Sequence, residues 1–259
     1  MTPAEVLSFD LAEAAQALRA KDEPFAFATI VRTAGSTAAK PGAKALLGAD
    51  GAILRGWLGG GCTRGAVKQA TLRALEEGRP QLVSVTPEDM LEQMGVTPGE
   101  EVDGTRFARN GCPSRGTVDI FIEPCLPTPQ LLVLGASPVA QALAELAPRF
   151  HWAVENEATG DAVPQAQCVV VATQGQGDLD ALKTVLARPF TYVAFVGSAR
   201  KFASLSEKLM AAGLDADLVA RVKAPAGLNI DAVTPEEIAL SILAELVQVR
   251  RVAVVPDHE

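Results

Sequence analysis

LLVLGASPVA, residues 131–140, decides how the second half of the chain folds. Four apolar residues run into Gly135, and Pro138 then stands at the first position of a helical pattern. An apolar strand that turns on a glycine straight into a helix is how a dinucleotide-binding half opens. The pattern repeats downstream: HWAVE, QCVVVAT and TYVAFVG alternate with helical stretches predicted from about Pro138 to Arg149, Asp178 to Ala187 and Ala199 to Ala212. Short, almost wholly apolar strands between helices predict a parallel sheet covered on both faces. The chain closes on TPEEIALSILAELVQVR, with Thr234 as cap, Pro235 at the first position and Glu237 completing a capping box.

Upstream, PCLPTPQ (124–130) carries three prolines and makes a stiff connection. It divides the chain into a domain over 1–125 and a Rossmann-like one over 130–259. The first domain reads as mixed α and β. TPAEVLSFDLAEAAQALRA places Thr2, Pro3 and Glu5 as a capping box and Leu7, Leu11, Ala14 and Leu18 on one helical face. FAFATIVR, AKALLG and AILRGWL read as strands, with GADG (48–51) as a hairpin turn. Helix returns from Thr63 to Glu77 with Val67, Ala70, Ala74 and Leu75 on its apolar side and Gly78 as its stop. QLVSV and TVDIFIE add strands, the second alternating Val118, Ile120 and Ile122 with Asp119, Phe121 and Glu123.

Composition excludes whole classes of function. With 48% apolar and 21% charged residues the chain is globular, and it has no apolar run long enough to span a membrane. Glu5, Asp10 and Glu13 near the start are unlike a secretory signal, so a cytoplasmic protein is expected. A net charge of -8 argues against nucleic acid. Only His151 and His258 are present, which leaves little material for imidazole catalysis. Cys62, Cys112, Cys125 and Cys168 form no CxxC pair, so neither a structural zinc nor a redox pair is indicated.

GWLGGGCTRG (56–65) carries the chemistry. The bare amides of Gly59, Gly60 and Gly61 and the start of the following helix form an anion-binding concavity, which also favours the thiolate of Cys62. The other reading is a tight turn with Cys62 as a small buried hydrophobe. TAGSTAAKPGAK (33–44) supplies Ser36 and the cations Lys40 and Lys44 as a second wall, or else a solvated loop. NGCPSRG places Cys112 and Arg115 before a strand, and VGSARK places Gly197 and Ser198 before a helix bearing Arg200 and Lys201, a second anion cradle or a plain strand turn. In LGASPVA, Ser137 replaces the glycine that would approach a pyrophosphate, while Glu155 is in register for a ribose. A nicotinamide-dependent oxidoreductase is therefore the alternative.

The order GST (35–37), PGAK, GGGC, GCPSRGTVDIFIEP, a degenerate Rossmann start, VGSARK and APAGLNIDAVTPEEIALSILAEL (224–246) resembles the XdhC/CoxI family, accessory proteins of molybdenum hydroxylases. The resemblance implies an XdhC/CoxI domain followed by a Rossmann domain, and no turnover of its own. It further implies a bound molybdenum cofactor (a pterin dithiolene carrying a phosphate) presented to a cysteine desulfurase and inserted into xanthine dehydrogenase or aerobic carbon monoxide dehydrogenase. A homodimer is implied too. On this reading Cys62 meets the metal, and Gly59, Gly60, Gly61, Ser36, Lys44, Cys112, Arg115, Gly197 and Ser198 bind the cofactor. The chain departs from the family at Thr63 and Arg64, where an acid is usual, and at Cys112-Pro113-Ser114, where Cys-Gly-Gly is frequent. It also has Thr173-Gln174-Gly175-Gln176 in place of a histidine-containing stretch, and lacks the Asp-x-Arg after the second Rossmann strand.

Overall fold

The computed structural model describes residues 3–113, 115–156 and 166–252, without the side chains of 3–9, 62, 166, 167 and 252. The chain forms two compact units, Met1–Pro127 and Thr128–Glu259.

The first unit is one mixed seven-stranded sheet. In chain order it has α1 (Pro3–Ala20), β1 (Phe25–Ala34), β2 (Lys44–Leu47), β3 (Ile53–Gly56), a single 3-10 turn (Gly61–Thr63), α2 (Arg64–Glu77), β4 (Gln81–Pro87), α3 (Glu88–Met94), β5 (Glu101–Val102), β6 (Thr105–Asn110) and β7 (Thr117–Cys125). The sheet order is β3-β2-β1-β7-β4-β6-β5, with β4 and β6 parallel and the other neighbours antiparallel. The GADG turn is a hairpin as expected: Gly48 N–H donates to Ala52 O, and Gly51 N–H to Gly48 O. On one face α2 packs Val67, Ala70 and Ala74 onto Ala26, Ala28, Ile30, Val83, Val85, Val118, Ile120 and Ile122. On the other, α1 sets Leu11 and Ala15 against Phe25 and Leu46. Thr2 and the Glu5 side chain, expected to cap α1, lie outside the described residues.

Residues 88–110, which carried no predicted element, hold α3, β5 and β6. Their apolar residues are too sparse to show a period, and the strands are decided by pairing, β6 with β4 and β5 with β6. A second difference concerns Asp119. Alternation puts it on the polar side of β7, yet it is buried, because Ser84 Oγ donates to its Oδ1 at 2.6 Å and Arg32 Nε to its Oδ2. Buried carboxylates persist where donors surround them.

The second unit holds β8 (Gln130–Leu134), α4 (Pro138–Leu146), a 3-10 turn (Ala147–Phe150), β9 (Ala153–Glu155), β10 (Ala166–Val171), α5 (Asp178–Leu186), β11 (Tyr192–Phe195), α6 (Ala199–Ala211), α7 (Ala216–Ala220), β12 (Val222–Lys223) and α8 (Pro235–Val252). Five strands in the order β12-β11-β10-β8-β9 are all parallel, a doubly wound Rossmann-like arrangement with its switch point between β8 and β10. α4 and α8 cover one face, packing Leu143, Ile242 and Leu246 on Leu131, Val133 and Val170. α5, α6 and α7 cover the other, with Leu182, Leu209 and Val219 on Val169, Val171 and Phe195. The capping box of α8 forms: Glu237 N–H donates to Thr234 Oγ1, and Thr234 N–H to Glu237 Oε2 at 2.9 Å.

Candidate functional site

Strand directions gather the expected residues of the first unit. Antiparallel register puts Ala34 opposite Thr117, Lys44 opposite Thr29 and Gly56 opposite Ala45. The carboxyl ends of β1, β3, β4 and β6 and the starts of β2 and β7 therefore share one end of the sheet, where three loops meet. Gly59, at φ +98°, lies so close to the loop after β1 that a Cβ would stand 3.1 Å from Ala39 Cβ. Ser36 in that loop forms a β-bridge with Arg115, and a Cβ on Gly116 would collide with Ser36 O at 2.5 Å. The loop after β1 thus touches the GGGC turn through Ala39 and the GCPSRG loop through Ser36.

The turn is open where it leads into α2. Gly60 and Gly61 have no atom within 4 Å of a would-be Cβ, and neither has positive φ. No side chain caps the 3-10 turn or α2, and no acid stands in either first turn. Thr63 faces inward: it is buried and its Oγ1 donates to Gly60 O at 3.1 Å. The turn itself takes up the Thr63 and Arg64 N–H groups, which donate to Gly60 O and Gly61 O; it is the glycine amides ahead of them that can favour an anion. The Cys62 side chain lies outside what is described. Among the described residues no cluster of three or more His, Cys, Asp or Glu could hold a metal ion.

The other two walls differ in their charge. Lys44 Nζ donates to Thr29 Oγ1 at 3.0 Å. Arg115 is held by Asp89, which keeps that carboxyl below the usual range and the guanidinium above its own. Arg115 is thus a cation already shared with an acid. Asp89 lies on α3, where the sequence shows no period to mark it. Asn110 was also missed: its Nδ2 donates to Gly116 O while its Oδ1 accepts the Cys112 N–H at 2.9 Å, so it shapes the GCPSRG loop. Asn before Gly-Cys is an Asx-turn signal that could have revealed it. Cys112 is half-buried, and Ser114 lies outside the described residues.

Gly197 and Ser198 belong to the second unit, at the carboxyl end of β11. Gly197 is required by packing, because a Cβ would meet the Phe195 ring at 2.4 Å. Ser198 caps α6, its Oγ accepting the Lys201 N–H at 3.2 Å. Lys201 Nζ pairs with the buried Asp178 at 2.5 Å, and Asp178 Oδ1 also accepts Gly175 N–H at 2.9 Å and the Thr173 hydroxyl. Burial alone would raise the Asp178 carboxyl; Lys201, Thr173 and Gly175 outweigh it and hold it below the usual range. At the switch point, Gly135 sits at φ +117° with its would-be Cβ 2.4 Å from Ala172 O, and Ser137 Oγ accepts the Ala140 N–H at 3.1 Å. Glu155 ends β9, opposite Leu132. Ser137, Ser198, Asp178 and Lys201 thus direct their polar groups to the loops and helix starts beside them.

The XdhC and CoxI family matches residues 18–86, and the XdhC Rossmann domain matches residues 131–246. The chain belongs to the XdhC/CoxI family. Within the family's first domain the match covers the GGGC turn, the loop carrying Ser36 and the start of β2 at Lys44, and within its Rossmann domain it covers Gly135, Gly197 and Ser198. An uncharacterised protein of Escherichia coli K12, YqeB, is 31% identical across 88% of this chain. The chain spans only 44% of that relative's length. A solved structure from Bacillus halodurans, described as a xanthine dehydrogenase, is 19% identical with a TM-score of 0.42, covering 97% of this chain and 96% of that one. Among the described residues no helix is long and apolar enough to cross a membrane.

Proposed function

We propose that this XdhC/CoxI protein is an accessory factor of a molybdenum hydroxylase and carries the molybdenum cofactor as cargo on its first unit. In this reading the amides of Gly60 and Gly61 take the cofactor's phosphate, and Ser36 and Lys44 close the wall beside it. Cys62, on the 3-10 turn, is the thiol offered to the metal. Arg115, through Asp89, and Cys112, through Asn110, hold the third loop in place. The loaded protein shields the cofactor, presents it to a cysteine desulfurase and passes it to an enzyme of the xanthine dehydrogenase or aerobic carbon monoxide dehydrogenase type. It acts in the cytoplasm as a homodimer and turns over no substrate itself.

One observation carries the reading: the start of α2 has neither a side-chain cap nor an acid, and it opens beside glycines with empty space where side chains would stand. Helix starts are commonly capped by the side chain of Ser, Thr, Asp or Asn, and here Gly60 stands at that place and brings no side chain to it. Thr63 is present and faces the other way.

The test is to purify the protein from a molybdenum-replete host and oxidise any bound pterin to its fluorescent product. Stoichiometric pterin is expected on the wild type, with Cys62→Ser losing activation of the recipient enzyme. No pterin after purification, and none taken up from added cofactor, would reject the reading.

A further inference from the structure

Residues 24–75 carry seven cations and a single acid, Asp50. In a chain of net charge -8 that stretch is +6 and the remainder -14. The structure gives Arg32 and Arg73 carboxylate partners. Lys40, Lys44, Arg55, Arg64 and Lys68 have none among the described residues, and all five are exposed. A cofactor phosphate and a metal centre account for the cations of the cradle wall. They do not account for Arg55, which sits on β3, or for Lys68, a turn further along α2.

The same stretch ends the sheet. β3 is an edge strand, paired with β2 on one side and, among the described residues, with no strand on the other, and every residue of it is at least partly exposed. Its apolar side chains are exposed as well: Leu54 is 39% accessible, and Trp57, directly after the strand, is 47%. A lone arginine on an edge is explained as protection against pairing. Protection does not explain Ile53, Leu54 and Trp57 laid out in the open beside it. Trp and Arg together on a partly exposed apolar strip are the residues that anchor protein interfaces. An unpaired strand edge offers its N–H and C=O groups to another strand, which neither a phosphate backbone nor a bilayer can supply.

We infer that the β3 edge, with Leu54, Arg55 and Trp57, is the docking surface for a protein that presents an acidic, extended segment, namely the enzyme receiving the cargo. The inference rests on the cargo reading and adds the surface through which delivery occurs. Charge complementarity selects the partner: a rim of unpaired cations on an otherwise acidic protein steers in an acidic face and repels a second copy's identical rim. The edge adjoins the GGGC turn through Gly56 and Trp57, so a partner seated on it stands beside the cradle.

Arg55→Glu and Leu54→Asp test this, because both side chains are exposed and the described contact of the guanidinium is with Leu54 O. Complex formation with cofactor-free xanthine dehydrogenase and cofactor-free carbon monoxide dehydrogenase is measured by surface plasmon resonance, on loaded and on empty protein. Bound pterin is quantified in parallel. The wild type should bind one hydroxylase, weakening about tenfold as sodium chloride rises through the physiological range. Each variant should retain pterin as the wild type does yet bind the hydroxylase about tenfold more weakly, and Arg55→Glu should flatten the salt dependence. Undiminished binding by both variants overturns the inference, as does wild type that binds neither hydroxylase. Tighter binding to a short single-stranded oligonucleotide or to phosphatidylglycerol vesicles, lost with Arg55→Glu, overturns it in favour of those ligands. Absence of pterin alone removes the cargo reading, while binding on the empty protein still decides the surface.

Discussion

The two units place glycine turns after strands and use them in opposite ways. In the first, Gly60 and Gly61 leave backbone uncovered at a helix start that no side chain caps. In the second, Ser137 and Ser198 each cap the helix they precede, and Asp178 binds Lys201 and the Thr173–Gly175 turn together. Nearly identical sequence grammar, glycine then small residue then helix, produces an open donor array in one place and a closed network in the other. What separates them is whether the residue beside the glycine can turn its oxygen back onto the helix. Ser137 and Ser198 do, in extended conformation. Thr63 has helical backbone angles and donates backwards instead.

The sharpest way to break this contrast is to close the open end. Gly60→Asp puts a carboxylate over the amides of the turn, and the fold admits it because Gly60 has φ −71° and empty space around it. Repulsion between charges about 4 Å apart near a protein surface is worth about 4 kcal/mol before screening. Pterin affinity should therefore fall by about two orders of magnitude, with an unchanged thermal midpoint. Gly60→Ala is the control, and should retain most of the binding. Equal binding by both variants would mean that the open amides are not where the anion sits.

Gly135→Ala in the second unit should do the reverse, costing stability without a binding phenotype. The new methyl meets Ala172 O at 2.4 Å, at a φ of +117° that L residues avoid. The loss should be about 3 kcal/mol, read from urea unfolding. Asp178→Asn comes next, at about 2 kcal/mol, since it leaves Lys201 without its carboxylate while keeping some hydrogen bonds. Its pH signature has a definite sign. Asp178 is held below its ordinary value of 3.8, so its contribution is complete above that value and is lost as pH falls through the lower folded value. The wild type should lose stability on acidification below about pH 4 more steeply than Asp178→Asn.

Much of this was legible in the sequence because period and punctuation agreed. The β8 to α4 turn, the parallel strands, the GADG hairpin and the α8 capping box all rest on local rules, and the tertiary structure obeys them. The charges were harder to place. Asp119 reads as a solvent-facing member of an alternating strand, and only the neighbouring β4 and β1 show that Ser84 and Arg32 enclose it. Arg115 reads as a free cation beside a cradle, and only α3 shows that Asp89 holds it. The linking of three loops at one sheet end follows from antiparallel register across β1, β2 and β7, which no single segment encodes. Cys168 shows the same limit from the other side. Four cysteines look alike on paper, yet burial in the sheet pushes the Cys168 thiol up to about 12, moderated by Arg250, so at pH 8 it should resist iodoacetamide while Cys112 and Cys125 react.

The smallest expected effect is also the one that best defines the closed end. A nicotinamide dinucleotide held at a hundred times its dissociation constant would stabilise the protein by about 2.7 kcal/mol. Here no thermal shift is expected from NAD or NADP. Glu155 stands in register for a ribose, but the turn that would receive the pyrophosphate has its Ala140 N–H donated to Ser137 Oγ and its glycine pressed onto Ala172. A ligand must displace that bond before gaining its own, so its net return at this helix start is small. Ser137→Gly separates the two causes of silence. If the serine alone excludes the dinucleotide, removing its side chain restores the glycine of the fingerprint and a shift appears; if the Asp178–Lys201 network also closes the crevice, Ser137→Gly stays silent until Asp178→Asn is added. A clear shift in the wild type would show that the second unit is an open site like the first, and the contrast between the two ends would collapse.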